Sequence, residues 1–152
     1  MSLTAPLLDH HKFCDGLFAD AEAAVAAKDW RLSANLMQDL RKELETHFGA
    51  EEDILFPAFE ATTGVVGGPT QMMAFEHAQM RELMDQMLAA LDRHKGDDFA
   101  GAAGTLLILM QQHNIKEENI LYPMCDQSLS SQVDTLGVAL NQRLETACLT
   151  KS

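Results

Sequence analysis

His47-Phe48-Gly49-Ala50-Glu51-Glu52-Asp53-Ile54-Leu55-Phe56-Pro57 and His113-Asn114-Ile115-Lys116-Glu117-Glu118-Asn119-Ile120-Leu121-Tyr122-Pro123 are two copies of one pattern. Six of the eleven positions are identical, and the Asp/Asn and Phe/Tyr exchanges are conservative. The copies stand 66 residues apart, and the same offset carries His11 onto His77, Leu17 onto Leu83, Cys14 onto Met80 and Phe18 onto Met84. The first half of the chain therefore repeats as the second. The offset also separates two neighbours: His11 has a histidine mate, whereas His10 falls on Glu76. Helical geometry alone does not separate them, because at about 100° per residue both lie within about 60° of the apolar stripe. His10 is assigned to a place behind the site or at the surface.

Around these copies the apolar residues recur at helical spacing and strand alternation is almost absent. One helix is expected from about Pro6 to Lys28, with Leu7, Cys14, Phe18, Ala21 and Val25 on one face. Asp29 caps a second, which reaches about Glu60 along Leu32, Leu36, Leu40, Leu44, Leu55 and Phe59. The stretch Thr62 to Gly68 is the clearest break, and Pro69 suits the first position of a third helix ending near His94. Asp97 or Asp98 opens a fourth helix to about Asp126, and Ser128 to Ser131 links it to a short fifth helix ending near Cys148. Pro57 and Pro123 should each kink their helix or end its regular part. The expected fold is all-α: an up-down-up-down four-helix bundle over about residues 6–126, with an additional short C-terminal helix over about 131–148. Residues 1–152 are read as a single domain, an ordinary size for one.

Eleven Lys and Arg against 23 Asp and Glu give a formal charge of −12. Such a surface repels phosphate, which excludes nucleic acid and anionic membrane as partners. The most apolar run, around Leu106 to Met110, is far shorter than the roughly 18 residues of a membrane-spanning helix. The N-terminus has no basic start followed by a long apolar run, so no secretory signal is expected. Three cysteines, Cys14, Cys125 and Cys148, with no CxxC, point to a reduced, cytoplasmic setting.

Residues four apart on a helix share a face, so each His-x-x-x-Glu aims an imidazole and a carboxylate at one point. A single such pair reads as an exposed ion pair. Here both pairs extend apolar stripes (Leu40, Leu44 and Leu55; Leu106, Met110 and Leu121), where an uncompensated glutamate would be costly. Together with the matched His11 and His77 they give a candidate metal set of His11, His47, Glu51, His77, His113 and Glu117. Four imidazoles and two carboxylates suit two adjacent ions, each with two histidines, bridged by Glu51 and Glu117. Without thiolates the set favours iron or manganese over structural zinc. Six ligands for two ions leave positions open for water, an oxyanion or a small gas.

These residues resemble the hemerythrin-like family, also called the HHE cation-binding domain, over residues 7–126. His11 matches the first-helix histidine, His47 and Glu51 the second-helix HxxxE with its following Glu and Leu-Phe-Pro, His77 the third-helix Glu-His, and His113 and Glu117 the fourth-helix pair. The resemblance implies two non-haem iron ions in an Fe-O-Fe centre with bridging carboxylates, manganese or zinc being less favoured. It also implies a partner that is a small gas or oxyanion, oxygen or nitric oxide among them. Oxygen-carrying members have a third-helix HxxxH and a fourth-helix HxxxxD. Here Arg81 replaces the second histidine and Glu117 the aspartate, which points away from reversible oxygen carriage. The functions implied are sensing or binding a small ligand, or handling iron. Reduction of nitric oxide or peroxide, or support of iron–sulfur cluster repair, is the alternative, and no protein partner is indicated.

Other residues carry less. Met80, Met84 and Met87 share the His77 face and read as flexible core filling, or as the lining of a gas channel. Tyr122 reads as a half-buried core residue, or as one that touches the metal shell, Cys14 as a small buried residue or a redox sensor, and His94 as solvated at a helix end. Arg81 is expected to snorkel to solvent, or to pair with Asp15 or Glu43.

Overall fold

Asp29 begins the second helix as its sequence suggests: its carboxylate accepts the Leu32 amide at 3.1 Å. The computed structural model describes residues 2–149. Its helices are α1 (Ala5–Ala26), α2 (Trp30–Ala50), α3 (Phe56–Thr63), α4 (Pro69–Asp92), α5 (Gly96–Lys116), α6 (Tyr122–Ser128) and α7 (Val133–Leu149). Helix α1 packs on α2 and α5, and α4 on α5 and α2, which closes a four-helix bundle. The fifth, C-terminal helix α7 lies against α2 and the turn that follows it, with Leu140 and Leu144 buried there and Arg143 bonded to Asp53 at 3.1 Å.

The prolines act one turn upstream of where they stand. The segments Glu51–Leu55 and Glu117–Leu121 are single π-helical turns, in which the Phe56 and Tyr122 amides donate to the Glu51 and Glu117 carbonyls. A proline ring at residue 57 or 123 would press on the carbonyl four residues back, and it has no N–H to offer it. The wider turn accommodates that, and the helix resumes as α3 or α6. The regular part of the second helix thus ends at Ala50, and the helical path continues to Thr63, where Gly64 at φ 73° closes it. The fourth helix starts at Gly96 without a side-chain cap, so Asp97 and Asp98 lie in its first turn instead of ahead of it. Leu32, placed on the buried stripe by periodicity, is 46% exposed.

The repeat survives in the backbone. Lys28 and His94, offset mates, both take left-handed conformations (φ 58° and 52°) where α1 and α4 end. His94 is exposed and stacks on Trp30 with ring centres 4.9 Å apart.

Two apolar clusters fill the interior. One, towards the α1–α2 and α4–α5 connections, includes Phe18, Met37, Leu40, Met80, Met84, Met87, Phe99 and Leu106. The other includes Leu7, Leu55, Phe59, Leu121, Tyr122, Leu129 and Leu140. Burying these side chains supplies the main drive for folding, roughly 1.5–3 kcal/mol for each large one. Between the two clusters lies a layer of buried polar groups: His10, His11, Glu43, His47, Glu51, His77, His113 and Glu117.

Candidate metal centre

To that layer α2, α4 and α5 each contribute one histidine and α1 two, His10 and His11, and the two π-turns contribute Glu51 and Glu117 as their first residues. The six residues selected by the repeat meet. Ligand-type atoms of Glu51, His77, His113 and Glu117 lie within 4.8 Å of one another, and so do those of His11, His47 and Glu117. Glu51 and Glu117 are fully buried.

All four imidazoles turn Nε2 inwards. His77 Nε2 is 3.0 Å from Glu51 Oε1, His113 Nε2 3.3 Å from Glu117 Oε1, His11 Nε2 3.2 Å from Glu117 Oε1, and His47 Nε2 3.7 Å from Glu51 Oε2. All four Nδ1 atoms are held from behind. Glu118 takes His11 at 2.8 Å and Glu52 takes His77 at 2.6 Å, while Glu76 takes His113 at 2.8 Å. His10 Nδ1 meets His47 Nδ1 at 2.9 Å, and His10 Nε2 meets Glu43 at 2.8 Å. A histidine whose outer nitrogen is bonded in this way has its tautomer and ring angle fixed for metal binding through the other.

His10 is therefore buried behind His47 and not at the surface. Arg81 pairs with neither Asp15 nor Glu43. Its Nε donates to Glu45 at 2.7 Å and its terminal nitrogens to both Glu52 oxygens at 3.1 and 3.2 Å, while its guanidinium lies 5.2 Å from the Phe48 ring centre. It supports the carboxylate that holds His77. Tyr122 is wholly buried, and its hydroxyl donates to Glu51 Oε2 at 2.6 Å inside the cluster. The supporting carboxylates Glu43, Glu52, Glu76 and Glu118 were not singled out by the sequence. A signal was present for Glu52 and Glu118, the second glutamate of each repeated Glu-Glu.

The protons left in the site show what it lacks. Burial alone would lower the His77 imidazole, but hydrogen bonds and charges from Glu51 and Glu52 outweigh burial and raise it to about 9. His11 is raised against burial by the Glu117 hydrogen bond and by the Glu117 and Glu51 charges. For His47 burial wins and pushes the group down to about 4. Burial and the Glu51 charge raise Glu117, whereas Glu51, though buried, is held well below the usual range by His47 and its other partners. Protons on these groups partly offset two buried carboxylates. Even so, Glu51 Oε1, Glu117 Oε2, His77 Nε2 and His113 Nε2 are fully buried with no aligned hydrogen bond. Each such atom costs roughly 1–3 kcal/mol. Two carboxylate oxygens and two imidazole nitrogens that converge without an aligned hydrogen bond are a donor set suited to a cation.

The model of the hemerythrin HHE cation binding domain matches residues 2–125. The chain is also 32% identical over 100 residues to the iron-sulfur cluster repair protein YtfE of Edwardsiella ictaluri (strain 93-146), across 59% of this chain and 45% of that protein. It thus spans less than half the length of that relative. No solved structure matches it. Among the described residues no helix is long and apolar enough to cross a membrane. With its buried histidine and glutamate cluster and a match over nearly its whole length, the chain belongs to the hemerythrin HHE cation-binding family.

Proposed function

We propose that the chain is a non-haem di-iron protein that binds a small ligand such as oxygen or nitric oxide, in a sensing, responding or iron-handling role. His11 and His47 would hold one ion and His77 and His113 the other, each through Nε2, with Glu51 and Glu117 shared between them. The observation that carries this is the pairing of four inward Nε2 atoms with four anchored Nδ1 atoms around two buried carboxylates. Such a site is costly as a purely structural feature and is ordered for ligation before any ion enters. Iron there supplies open coordination positions for a diatomic or an oxyanion. The protein's own part is to fix the ligands, exclude water between two apolar clusters and keep Lys116 and Arg81 on the outer carboxylates Glu76 and Glu52.

Protein produced with ample iron should carry about two irons per chain, with near-ultraviolet bridge-to-iron absorption when oxidised. A chain that takes up no iron, or one tightly held zinc, overturns the reading. Mixed with oxygen, the reduced protein should oxidise without a long-lived adduct, and with nitric oxide it should change its spectrum. An adduct that releases oxygen on purging would make it a carrier.

A second reading is favoured by the similarity to an iron–sulfur cluster repair protein: a di-iron enzyme that reduces nitric oxide or peroxide, or supports iron–sulfur cluster repair. Multiple turnovers under anaerobic conditions with nitric oxide and an electron donor would select it. A spectral change that stops at one equivalent supports binding.

A further inference from the structure

The two halves of the centre repeat each other in their six inward histidines and glutamates, and one atom among these is present in only one half. The 66-residue offset places Tyr122 on Phe56 and His11 on His77. The ring pairs are superposable in kind: Tyr122 lies 5.7 Å from His11 with 14° between planes, and Phe56 lies 6.1 Å from His77 with 13°. The tyrosine ring thus sits where the repeat puts it, and the difference is the hydroxyl it carries into the cluster.

That hydroxyl occupies a defined place. On the His77 and His113 side the inward atoms are His77 Nε2, His113 Nε2 and Glu51 Oε1, and these, with Glu117 Oε2, are buried without an aligned partner. On the other side stand His11 Nε2, His47 Nε2, Glu51 Oε2 and Glu117 Oε1, the last of which also lies 3.3 Å from His113 Nε2. Tyr122 Oη stands among all of these, at 3.4, 3.3, 2.6 and 3.1 Å in that order. In one half the convergence point of two imidazoles and two carboxylate oxygens is left to a cation. In the other a phenol oxygen already stands beside it. An ion bound there must approach Nε2 to roughly 2.0–2.2 Å, which brings it into bonding range of Oη unless the whole ring leaves. The ring is 1% exposed, packed in an apolar cluster with Leu55, Phe59 and Leu121.

We propose that Tyr122 is a direct ligand, through its phenolate oxygen, of the metal ion held by His11 and His47, so that the two metal positions are chemically unequal. The inference rests on the di-metal reading above. On binding, the phenol O–H bond breaks and a metal–oxygen bond forms, with no electron transferred. The proton passes to Glu51 Oε2, the acceptor already at 2.6 Å, and leaves to solvent as the ion takes its place. A hard anionic oxygen favours trivalent over divalent iron at this position. The Phe56 side keeps the softer imidazole and carboxylate set.

Tyr122 is the single tyrosine of the chain, so any tyrosinate signal has one source. The full chain loaded with ferric iron to two ions should show a visible phenolate-to-iron charge-transfer band. Excitation into that band should enhance tyrosinate ring modes in the resonance Raman spectrum. Tyr122→Phe creates the residue its mate already has, and should keep its helical content while losing the band and the ring modes. Its iron content should fall from about two towards one. Two bound ferric ions without tyrosinate modes in the unmodified protein would overturn the proposal, and that spectrum decides even if the variant misfolds. A Tyr122→Phe protein with an unchanged visible spectrum would overturn it too. A chain that binds no iron at all removes the di-metal reading itself, and this inference with it.

Discussion

His10 and Glu76, offset mates in the repeat, hold equivalent histidines with different chemistry: His10 Nδ1 lies 2.9 Å from His47 Nδ1, and Glu76 Oε1 lies 2.8 Å from His113 Nδ1. Glu76 is steadied by Lys116 and His10 by Glu43. His47 is thus backed by an imidazole and His113 by a carboxylate, and a carboxylate makes its histidine the more basic ligand.

From this position follows a contrast between neighbours. His10→Ala should keep about two ions per chain but weaken retention, on the order of 10–100-fold, as loss of a supporting residue does. His11→Ala should lose an ion outright. Iron analysis before and after dialysis against a chelator separates the two; equal loss at both positions would mean that His10 is itself a ligand.

Glu51→Ala and Glu117→Ala should each lower iron content more than any single histidine variant. Glu51 presents Oε1 towards His77 and Oε2 towards His47, and Glu117 Oε1 lies between His11 at 3.2 Å and His113 at 3.3 Å, so each carboxylate meets both halves. Its removal therefore affects both ions. Metal titration monitored in the near ultraviolet gives the stoichiometry, and retention of one undisturbed ion would show that the carboxylate is not shared.

The metal-free protein should be most stable near pH 6.5. His77, raised to about 9, contributes stability that is complete below its unfolded value and lost as pH rises through 9. His47, lowered to about 4, contributes stability present above its unfolded value and lost as pH falls through 4. Each shift corresponds to on the order of 3 kcal/mol. Urea midpoints of the chelated protein from pH 4 to 9 should trace a maximum, flattened by iron because ligated imidazoles no longer titrate. A steady rise of stability up to pH 9 would contradict the pairing of His77 with Glu51 and Glu52.

Removing the metal should lower the melting temperature and leave the helices formed. A ligand present at about 100 times its Kd adds about 2.7 kcal/mol, which for a domain of this size is roughly 5–10 °C. Circular dichroism melts of iron-loaded and chelated protein measure the difference, and coincident melts would place the cluster outside the folding equilibrium.

Arg81→Met should leave metal content unchanged, speed loss of iron to a chelator and lower stability by about 1 kcal/mol or less. Its ion pairs with Glu45 and Glu52 are partly exposed, so solvent screens them, but Glu52 fixes the His77 ring. An unaltered rate of iron loss would reduce Arg81 to a surface residue.

The helices, their breaks and the six inward residues were legible in the chain because they depend on local rules. Helical period sets which residues share a face, glycine and proline set where helices stop, and the 66-residue offset shows which histidines have mates. The tertiary structure decided what no single helix contains. Glu118 reaches His11 across 107 positions of sequence and Glu52 reaches His77 across 25, contacts that exist only once the helices are packed. Arg81 had carboxylates to choose from on several helices, and α4 packing on α2 set it beside Glu45 and Glu52. The sequence leaves Tyr122 between a core residue and one that touches the metal shell, because it gives a ring's burial by its stripe but not the depth to which its tip extends. That depth depends on the π-turn at Glu117–Leu121, which resets the register just before the tyrosine, and on the His11 ring against which it stacks. Periodicity fixes direction around a helix axis; distance across the bundle is fixed only when four helices close on one another.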